Sequence, residues 1–376
     1  MRNRVLALAL AGLPTVAHAQ APARRVVASQ VDSIARAALQ PGRVPGLSIA
    51  VVRGSDTLVM AGWGMADLEN RVPAGPQTVY RIGSITKQFT AALILIAERD
   101  GHLGLDDSLQ QYVPGFPTPG GRVSIRHLLT HTSGIPSYTS LGPAWRAAMR
   151  LDLSEDSLLG LIRSRPPDYS PGQRFLYDNS GYYLLGMILE RTLGRPYPDL
   201  VLERLVNPLG LRATGYCYTW PIIPNRAQGY EPGPGALGVE NADYISMALP
   251  FSAGGLCSTV GDLVAWTRAL AQGRVVPDAY SRMSASGRLG DGTPTHYGFG
   301  LFADTLEGHR RIWHSGGING FSSSLAAFPD DSLIVAVLTN SEAGNAARIG
   351  TAVARVSLGL PLPAAPQQPA GGARPD

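Results

Sequence analysis

Lysine is almost missing from this 376-residue chain. Lys87 is the only one, and arginine supplies the other basic side chains counted among 32 Lys and Arg residues. Arginine stays protonated inside a protein, whereas a buried lysine can give up its proton and take another. A chain that uses arginine wherever a permanent cation serves has therefore kept one amine that titrates. Other scarcities narrow the field. The formal net charge is only +4 and no dense basic cluster occurs, so nucleic-acid binding is unsupported. No Gly-x-Ser-x-Gly elbow, phosphate-binding loop or dinucleotide fingerprint is present. His127 and His131 have i,i+4 metal spacing, but no Glu follows His127 as in His-Glu-x-x-His, so they read as structural. Neither metal nor organic cofactor is implied.

Long apolar runs are also absent beyond the first residues. Arg2 and Arg4, the short apolar stretch Val5 to Leu13 and the small-x-small site Ala17-His18-Ala19 together predict an export signal over residues 1–19. That stretch is too short to span a bilayer. No later run is long enough, and no cysteine follows the signal to carry a lipid. A secreted or periplasmic protein is expected, without a transmembrane segment. Cysteine is scarce too. Cys217 and Cys257 could form a disulfide in an oxidising compartment, closing a loop worth roughly 4 kcal/mol in the chain-entropy model. They could equally be two buried thiols.

The pattern of apolar residues predicts a discontinuous fold. A helix over Val26 to Leu39 is followed by two strands and a turn over Val44 to Ala66. Phe89 to Ala97 is almost wholly apolar, which predicts a buried helix stopped at Asp100-Gly101. Helical segments follow at Ile125–Leu129, Trp145–Met149, Ser154–Arg163, Ser180–Leu193, Tyr197–Val206 and Thr259–Ala271. Proline and glycine turns separate them. Strands return at Tyr297–Phe302, Arg310–His314, Phe321–Phe328 and Leu333–Leu338, before a closing helix over Asn345–Leu358. The fold class is α/β (α+β). Residues 26–80 and 275–359 would form an antiparallel sheet flanked by helices. Residues 81–274 would form an inserted, mainly helical lobe, and 360–376 a disordered polar tail.

Three short elements carry chemistry. The first is Ser84-x-x-Lys87. A helix starting at Ser84 puts both residues on one face, with the serine oxygen near free N–H groups and the amine one turn deeper in apolar surroundings. The second is Tyr177-Asp178-Asn179, on a loop entering a helix. Side chains two apart in an extended loop point the same way, so Tyr177 and Asn179 would face one cleft. Asp178 would then point elsewhere and carry little weight. The third is Trp313-His314-Ser315-Gly316-Gly317, a strand ending in glycines that permit close approach to the backbone.

The order Ser-x-x-Lys, Tyr-x-Asn, His-x-Gly resembles the serine β-lactamase / D-alanyl-D-alanine carboxypeptidase family. The likeness is to its class C-like branch, which also holds esterases and D-aminopeptidases. It runs from about Val44 to Asn340 and includes His127 to Gly134, Pro208 to Leu211 and Ala253 to Ser258. It implies a β-lactamase/transpeptidase-like fold and a serine hydrolase forming a covalent acyl-enzyme. By resemblance, Ser84 is the nucleophile, Lys87 and Tyr177 its proton-transfer pair, and Asn179 the residue orienting the acyl group. His314, with Ser315 and Gly316, would contact the substrate's polar or anionic end. The N–H groups of Ser84 and Gly317 would form the oxyanion hole. Class C β-lactamases have lysine where His314 stands, and a neutral histidine holds a carboxylate less firmly, which counts against β-lactamase action proper. The implied substrates are small molecules or short peptides: a D-alanyl peptide, an ester, or a β-lactam as acylating agent. The rival readings are a carboxylesterase and a penicillin-binding protein without turnover. Substrate choice would lie in loops around Ser137-Tyr138, Trp220 and Tyr230.

Overall fold

A computed structural model describes residues 17–39, 44–118 and 120–363. Residues 1–16, which hold most of the expected signal, and 364–376, most of the expected tail, lie outside the described residues. Helix α1 spans Ala17–Ala38, beginning nine residues before the apolar spacing announces it. Strands β1 (Gly46–Arg53), β2 (Asp56–Asp67) and β3 (Val72–Pro73) follow, then helices α2 (Thr86–Arg99), α3 (Asn179–Leu193) and α4 (Val260–Ala271). Strands β4 (Phe302–Leu306), β5 (His309–Ile318), β6 (Phe321–Phe328) and β7 (Leu333–Thr339) and helix α5 (Ala346–Ser357) complete the main framework.

The seven strands form one antiparallel sheet in the order β3-β2-β1-β7-β6-β5-β4. The two ends of the chain therefore meet in its middle, where Ala50 lies opposite Ala336. Strand β1 is buried on both faces, which explains why its sequence runs apolar without the alternation of a half-exposed strand. Leu47, Ile49 and Val51 pack with Val31 and Ala35 of α1 and with Ile349 and Val353 of α5. Ala50 and Val52 face the opposite way, into the larger core that includes α2, α3 and α4.

Helix α2 lies at the centre of that core. Every residue from Thr86 to Ala97 is buried, as a helix apolar all round requires. Phe89 stacks on Trp266 of α4 with ring centroids 4.0 Å apart, and the indole N–H donates to Gln88 Oε1. The helix ends at Asp100, and Gly101 takes a left-handed φ of +78°. Five helix starts follow the side-chain capping rule. Ser124, Ser154, Asp178, Thr259 and Asn345 each accept a backbone N–H from the first turn they precede. The segment from Tyr197 is helical to Val201, then widens into a π turn over Leu202–Val206.

Tyr297–Phe302 is not the strand that its alternating aromatics suggest; β4 begins at Phe302. Gly298 and Gly300 give the reason. A Cβ on Gly298 would lie 2.2 Å from the Met283 carbonyl oxygen, and one on Gly300 would lie 2.8 Å from that of Lys87. Gly298 lies against the backbone of Met283, and Gly300, with a left-handed φ, turns the segment against α2.

Cys217 and Cys257 are joined as a disulfide, with Cα atoms 5.2 Å apart. Cys257 sits in the middle strand of a small sheet, between Tyr80–Arg81 and Gly215–Tyr216. The next residue after Arg81, Ile82, donates its N–H to the Leu256 carbonyl. The bridge thus braces the strand that leads directly into Ser84.

Gly300→Ala should destabilise the protein by about 2 kcal/mol, because φ there is +73° and left-handed backbone costs a non-glycine residue roughly 1–3 kcal/mol. A urea denaturation midpoint unchanged from the parent would show that this turn does not need its glycine.

Candidate active site

Ser84 does not open α2 itself. It lies in a short 3₁₀ turn, Gly83–Ile85, immediately before the helix. Gly83 makes this possible with a φ of +49°, and a Cβ there would come within 2.9 Å of the Gly317 backbone nitrogen. The turn is therefore pressed against the end of β5, and Ser323 of β6 holds it by donating to the Ile82 carbonyl at 2.8 Å. Despite the change of helix type, Ser84 and Lys87 meet: Lys87 Nζ is 3.1 Å from Ser84 Oγ.

Lys87 is completely buried. Its Nζ also lies 2.7 Å from Asn179 Oδ1 and 2.8 Å from the Ala253 carbonyl oxygen. It faces the ring of Tyr177 at 4.8 Å. Burial pulls its pKa down to about 7, partly opposed by the negative charge of Asp178. Two of its three neighbours, an amide oxygen and a peptide oxygen, can only accept. A neutral amine has two hydrogens and one lone pair. Its hydrogens go to Asn179 and Ala253, which leaves the lone pair facing the Ser84 hydroxyl.

Tyr177 has a buried hydroxyl with no hydrogen-bond partner of good geometry among the described residues. Burial raises its pKa above the ordinary phenol value, and proximity to Ser84 offsets this only in part. At neutral pH it is a phenol and not a phenolate. Asn179 occupies the first turn of α3, with Nδ2 donating to Thr139 Oγ1 at 2.9 Å and its backbone N–H to Ser137 Oγ at 3.0 Å. Both ends of the amide are held, so its carbonyl oxygen is aimed at Lys87.

The third motif behaves differently from the expectation for it. His314 is buried, 2 % exposed, and its Nε2 lies 3.1 Å from the Tyr297 hydroxyl while Nδ1 lies 2.5 Å from the Ser315 carbonyl. Burial, with Lys87 nearby, pushes its pKa down to about 3. A histidine packed behind Tyr177 (ring centroids 5.9 Å apart) and neutral at ordinary pH cannot offer a cation to a substrate carboxylate. Gly316 is likewise closed off, since a Cβ there would lie 2.1 Å from the Ile82 carbonyl oxygen. Neither residue, nor Ser315, lines the cleft; Gly317 does.

That cleft is a cavity of about 290 Å³ with Ser84, Asn179, Tyr138, Trp145, Ile245 and Gly317 in its wall. None of its described lining residues carries a charge. Of the loops expected to set substrate choice, only the one at Tyr138 reaches it. Trp220 is 81 % exposed, and the Tyr230 hydroxyl accepts the Leu68 N–H. A larger cavity of about 520 Å³ lies beside the disulfide and contains none of the motif residues.

Three contributors escape a reading of the sequence and a fourth is undervalued by it. Ala253 acts through its carbonyl, which every residue has, and nothing marks Ser137 or Thr139 as props for Asn179. Asp178 was visible inside the second motif but discounted on side-chain direction. It is buried, 3 % exposed, and its carboxylate is 3.3 Å from Nδ1 of His131. His131 is also fully buried, far from forming a metal pair with His127, whose Nδ1 accepts the Ser124 N–H.

The chain resembles known proteins over most of its length. Residues 31–359 match the family model described as Beta-lactamase. The chain is 29% identical over 343 residues to the D-aminopeptidase of Brucella suis biovar 1, a match covering 89% of this chain and 64% of the relative. It therefore spans less than two thirds of that protein's length. Penicillin-binding protein 4* of Bacillus subtilis is 29% identical over 311 residues, covering 78% of this chain and 68% of the other. Among solved structures, the D-stereospecific amidohydrolase from Streptomyces sp. superposes with a TM-score of 0.74 at 29% identity, over 88% of this chain and 98% of that one.

The titration of Lys87 should be readable in the reactivity of Ser84. Its rate of labelling by a fluorophosphonate should rise with pH through about 7 and level off above, as the amine loses its proton. Lys87→Arg keeps the charge but stays protonated, and should cut that rate at least about 100-fold. A fully reactive Lys87→Arg protein would show that no titrating amine is needed.

Proposed function

The chain belongs to the Beta-lactamase family, and on that premise we propose that it cleaves amide or ester bonds through a covalent acyl-enzyme on Ser84. The observation that carries the proposal is the seating of Lys87 Nζ, with two pure acceptors on its hydrogens and the Ser84 hydroxyl on its lone pair. Ser84 Oγ attacks the substrate carbonyl while its proton passes to the amine. The oxyanion that forms is held by the N–H groups of Ser84 and Gly317, each such donor being worth roughly 3 kcal/mol of barrier. As the tetrahedral centre collapses, the bond to the leaving nitrogen or oxygen breaks. That atom takes a proton from the Tyr177 phenol, which is replenished from Lys87. Water then attacks the acyl ester, giving its proton to the same pair, and the carboxylic acid leaves with Ser84 restored.

The uncharged wall of the cleft narrows the substrate. A free C-terminal carboxylate, such as that of a D-alanyl-D-alanine peptide or a β-lactam, would meet no cation there, and His314 is unable to supply one. Amides and esters that are uncharged near the scissile bond suit it better. The D-stereospecificity in the names of two relatives supports a D-configured acyl group. The same neutral lining suits a small-ester hydrolase, which is the second reading. Export of the mature chain is part of the proposal, supported by the signal features of residues 1–19. N-terminal sequencing of protein recovered outside the cytoplasm should find Gln20 first; an intact Met1 would refute export by cleavage.

The function is tested by turnover of an N-acetyl-D-alanine p-nitroanilide, a p-nitrophenyl ester, a D-Ala-D-Ala peptide and a chromogenic cephalosporin. The two neutral-ended substrates should exceed the two carboxylates at least about tenfold in kcat/KM, the equivalent of one missing charged contact. Ser84→Ala should abolish both turnover and labelling. Preference for the anilide over the ester separates amidase from esterase. A burst without turnover on every member would make this a penicillin-binding protein instead.

A further inference from the structure

Most polar side chains in the wall of the cleft are already engaged within the fold. The Tyr138 hydroxyl donates to the Leu249 carbonyl at 2.8 Å. Thr139 Oγ1 meets Asn179 Nδ2 and Ser137 Oγ, each at 2.9 Å, and Asn179 Oδ1 is taken by Lys87. Asn319 Nδ2 donates to the Asp243 carbonyl at 3.1 Å, and the Asp243 carboxylate is paired with Arg150. Beside Ser84 the wall therefore offers mainly apolar surface: Tyr138 and Ile245, both buried, and Trp145 and Ile318, both only half-buried. Trp145 lies on a six-residue helix, Pro143–Ala148. Its ring leans on that of Tyr138 at 5.2 Å between centroids, and Tyr138 in turn meets Tyr183 of α3 at 6.1 Å. The Tyr138 N–H donates to Ser180 Oγ, also of α3, at 3.0 Å. The indole is thus backed by rings anchored in the core, and a ligand would meet a preformed wall.

We propose that Trp145 is a specificity-determining residue: with Tyr138, Ile245 and Ile318 it forms an apolar seat for an aromatic-sized group on the acyl side of the scissile bond. The proposal rests on Ser84 being the nucleophile of an acyl-transfer site. The side follows from Thr139, which ties this wall to Asn179, the residue assigned to the acyl group. A cavity of about 290 Å³ stands near the lower end of ligand pockets, which run from roughly 300 to 1,000 Å³. A methyl group, such as the side chain of D-alanine, is too small to cover the indole there. A ring covers it, and offset or edge-on aromatic contact adds to the gain from the area buried. The indole would touch the substrate and none of the reacting atoms. Its loss should therefore change which acyl group is preferred and leave the reactivity of Ser84 as it is.

The test compares the p-nitroanilides of N-acetyl-D-phenylalanine and N-acetyl-D-alanine, which share a leaving group, in the parent, Trp145→Phe and Trp145→Ala. The parent should favour the phenylalanyl substrate by about tenfold or more in kcat/KM. Trp145→Phe should keep most of that preference, and Trp145→Ala should bring it within about threefold. Labelling of Ser84 by a small methyl fluorophosphonate should stay within about threefold of the parent in both variants, which separates loss of the seat from loss of the fold. Ile318→Ala trims the same seat from β5, should also narrow the preference, and decides the matter where Trp145→Ala does not fold. If the parent shows no label on Ser84, or turns over neither anilide, the underlying reading of the site fails. If the parent turns over both but does not favour the phenylalanyl one, or the folded alanine variants keep its preference, the seat fails. An equal loss on both substrates with labelling intact would put Trp145 against the shared leaving group and overturn the acyl assignment.

Discussion

Burying one amine organises this molecule around its site. An amine in an apolar core is costly unless its hydrogens are matched, and Lys87 is met by groups from three segments, two of them distant in the chain. Ser84 comes from the turn before α2, Asn179 from the start of α3, and the Ala253 carbonyl from the segment before the disulfide-linked strand. Each has its own restraint. Ser323 and Leu256 hold the Ile82 backbone beside Ser84, Thr139 and Ser137 hold Asn179, and Cys257 pins the strand next to Ala253. The acid–base property of the site therefore depends on the packing of the whole helical core.

The site is layered. Ser84, Asn179 and Gly317 face the cleft. Behind them lie Lys87 and the phenol of Tyr177, and behind those a block of rings made by His131, Tyr182, Tyr297 and His314. Charge decreases towards the cleft wall and polarity is handled in the interior. This inverts the arrangement suited to gripping an anionic substrate, in which a cation stands at the surface of the pocket. It suits a reaction in which the enzyme manages protons and leaves substrate recognition to shape and neutral hydrogen bonds.

Most of the framework was legible from the chain. The two-stranded start, the apolar helix after Ser84, the run Phe321–Phe328 and the closing helix all follow from periodicity, because each buries a stripe or face that leaves its mark at 2 or 3.6 residues. Where periodicity misled, at Tyr297–Phe302, glycine contacts with α2 overrode an alternating pattern that would otherwise make a strand. Ser84, Lys87, Tyr177 and Asn179 were legible as candidates from two local spacings, and the fold brings Ser84, Asn179 and the Tyr177 ring around Lys87. His314 was legible as a position and misread as a contact. Whether a histidine on a strand points to solvent or under a tyrosine depends on neighbours more than a hundred residues away.

By itself the sequence determined that the chain has one lysine, that a serine lies three residues before it, and that the ends of the chain carry strands while its middle carries helices. These are properties of local spacing and side-chain chemistry, which any fold inherits. Only the tertiary structure decided that Asn179 and Ala253 take the amine's two hydrogens, and that the cleft is uncharged. It also decided that Asp178 is buried against His131 and that Cys217 meets Cys257. Those outcomes depend on distances between segments far apart in the chain, and burial, which sets proton affinity, exists only once the segments have packed.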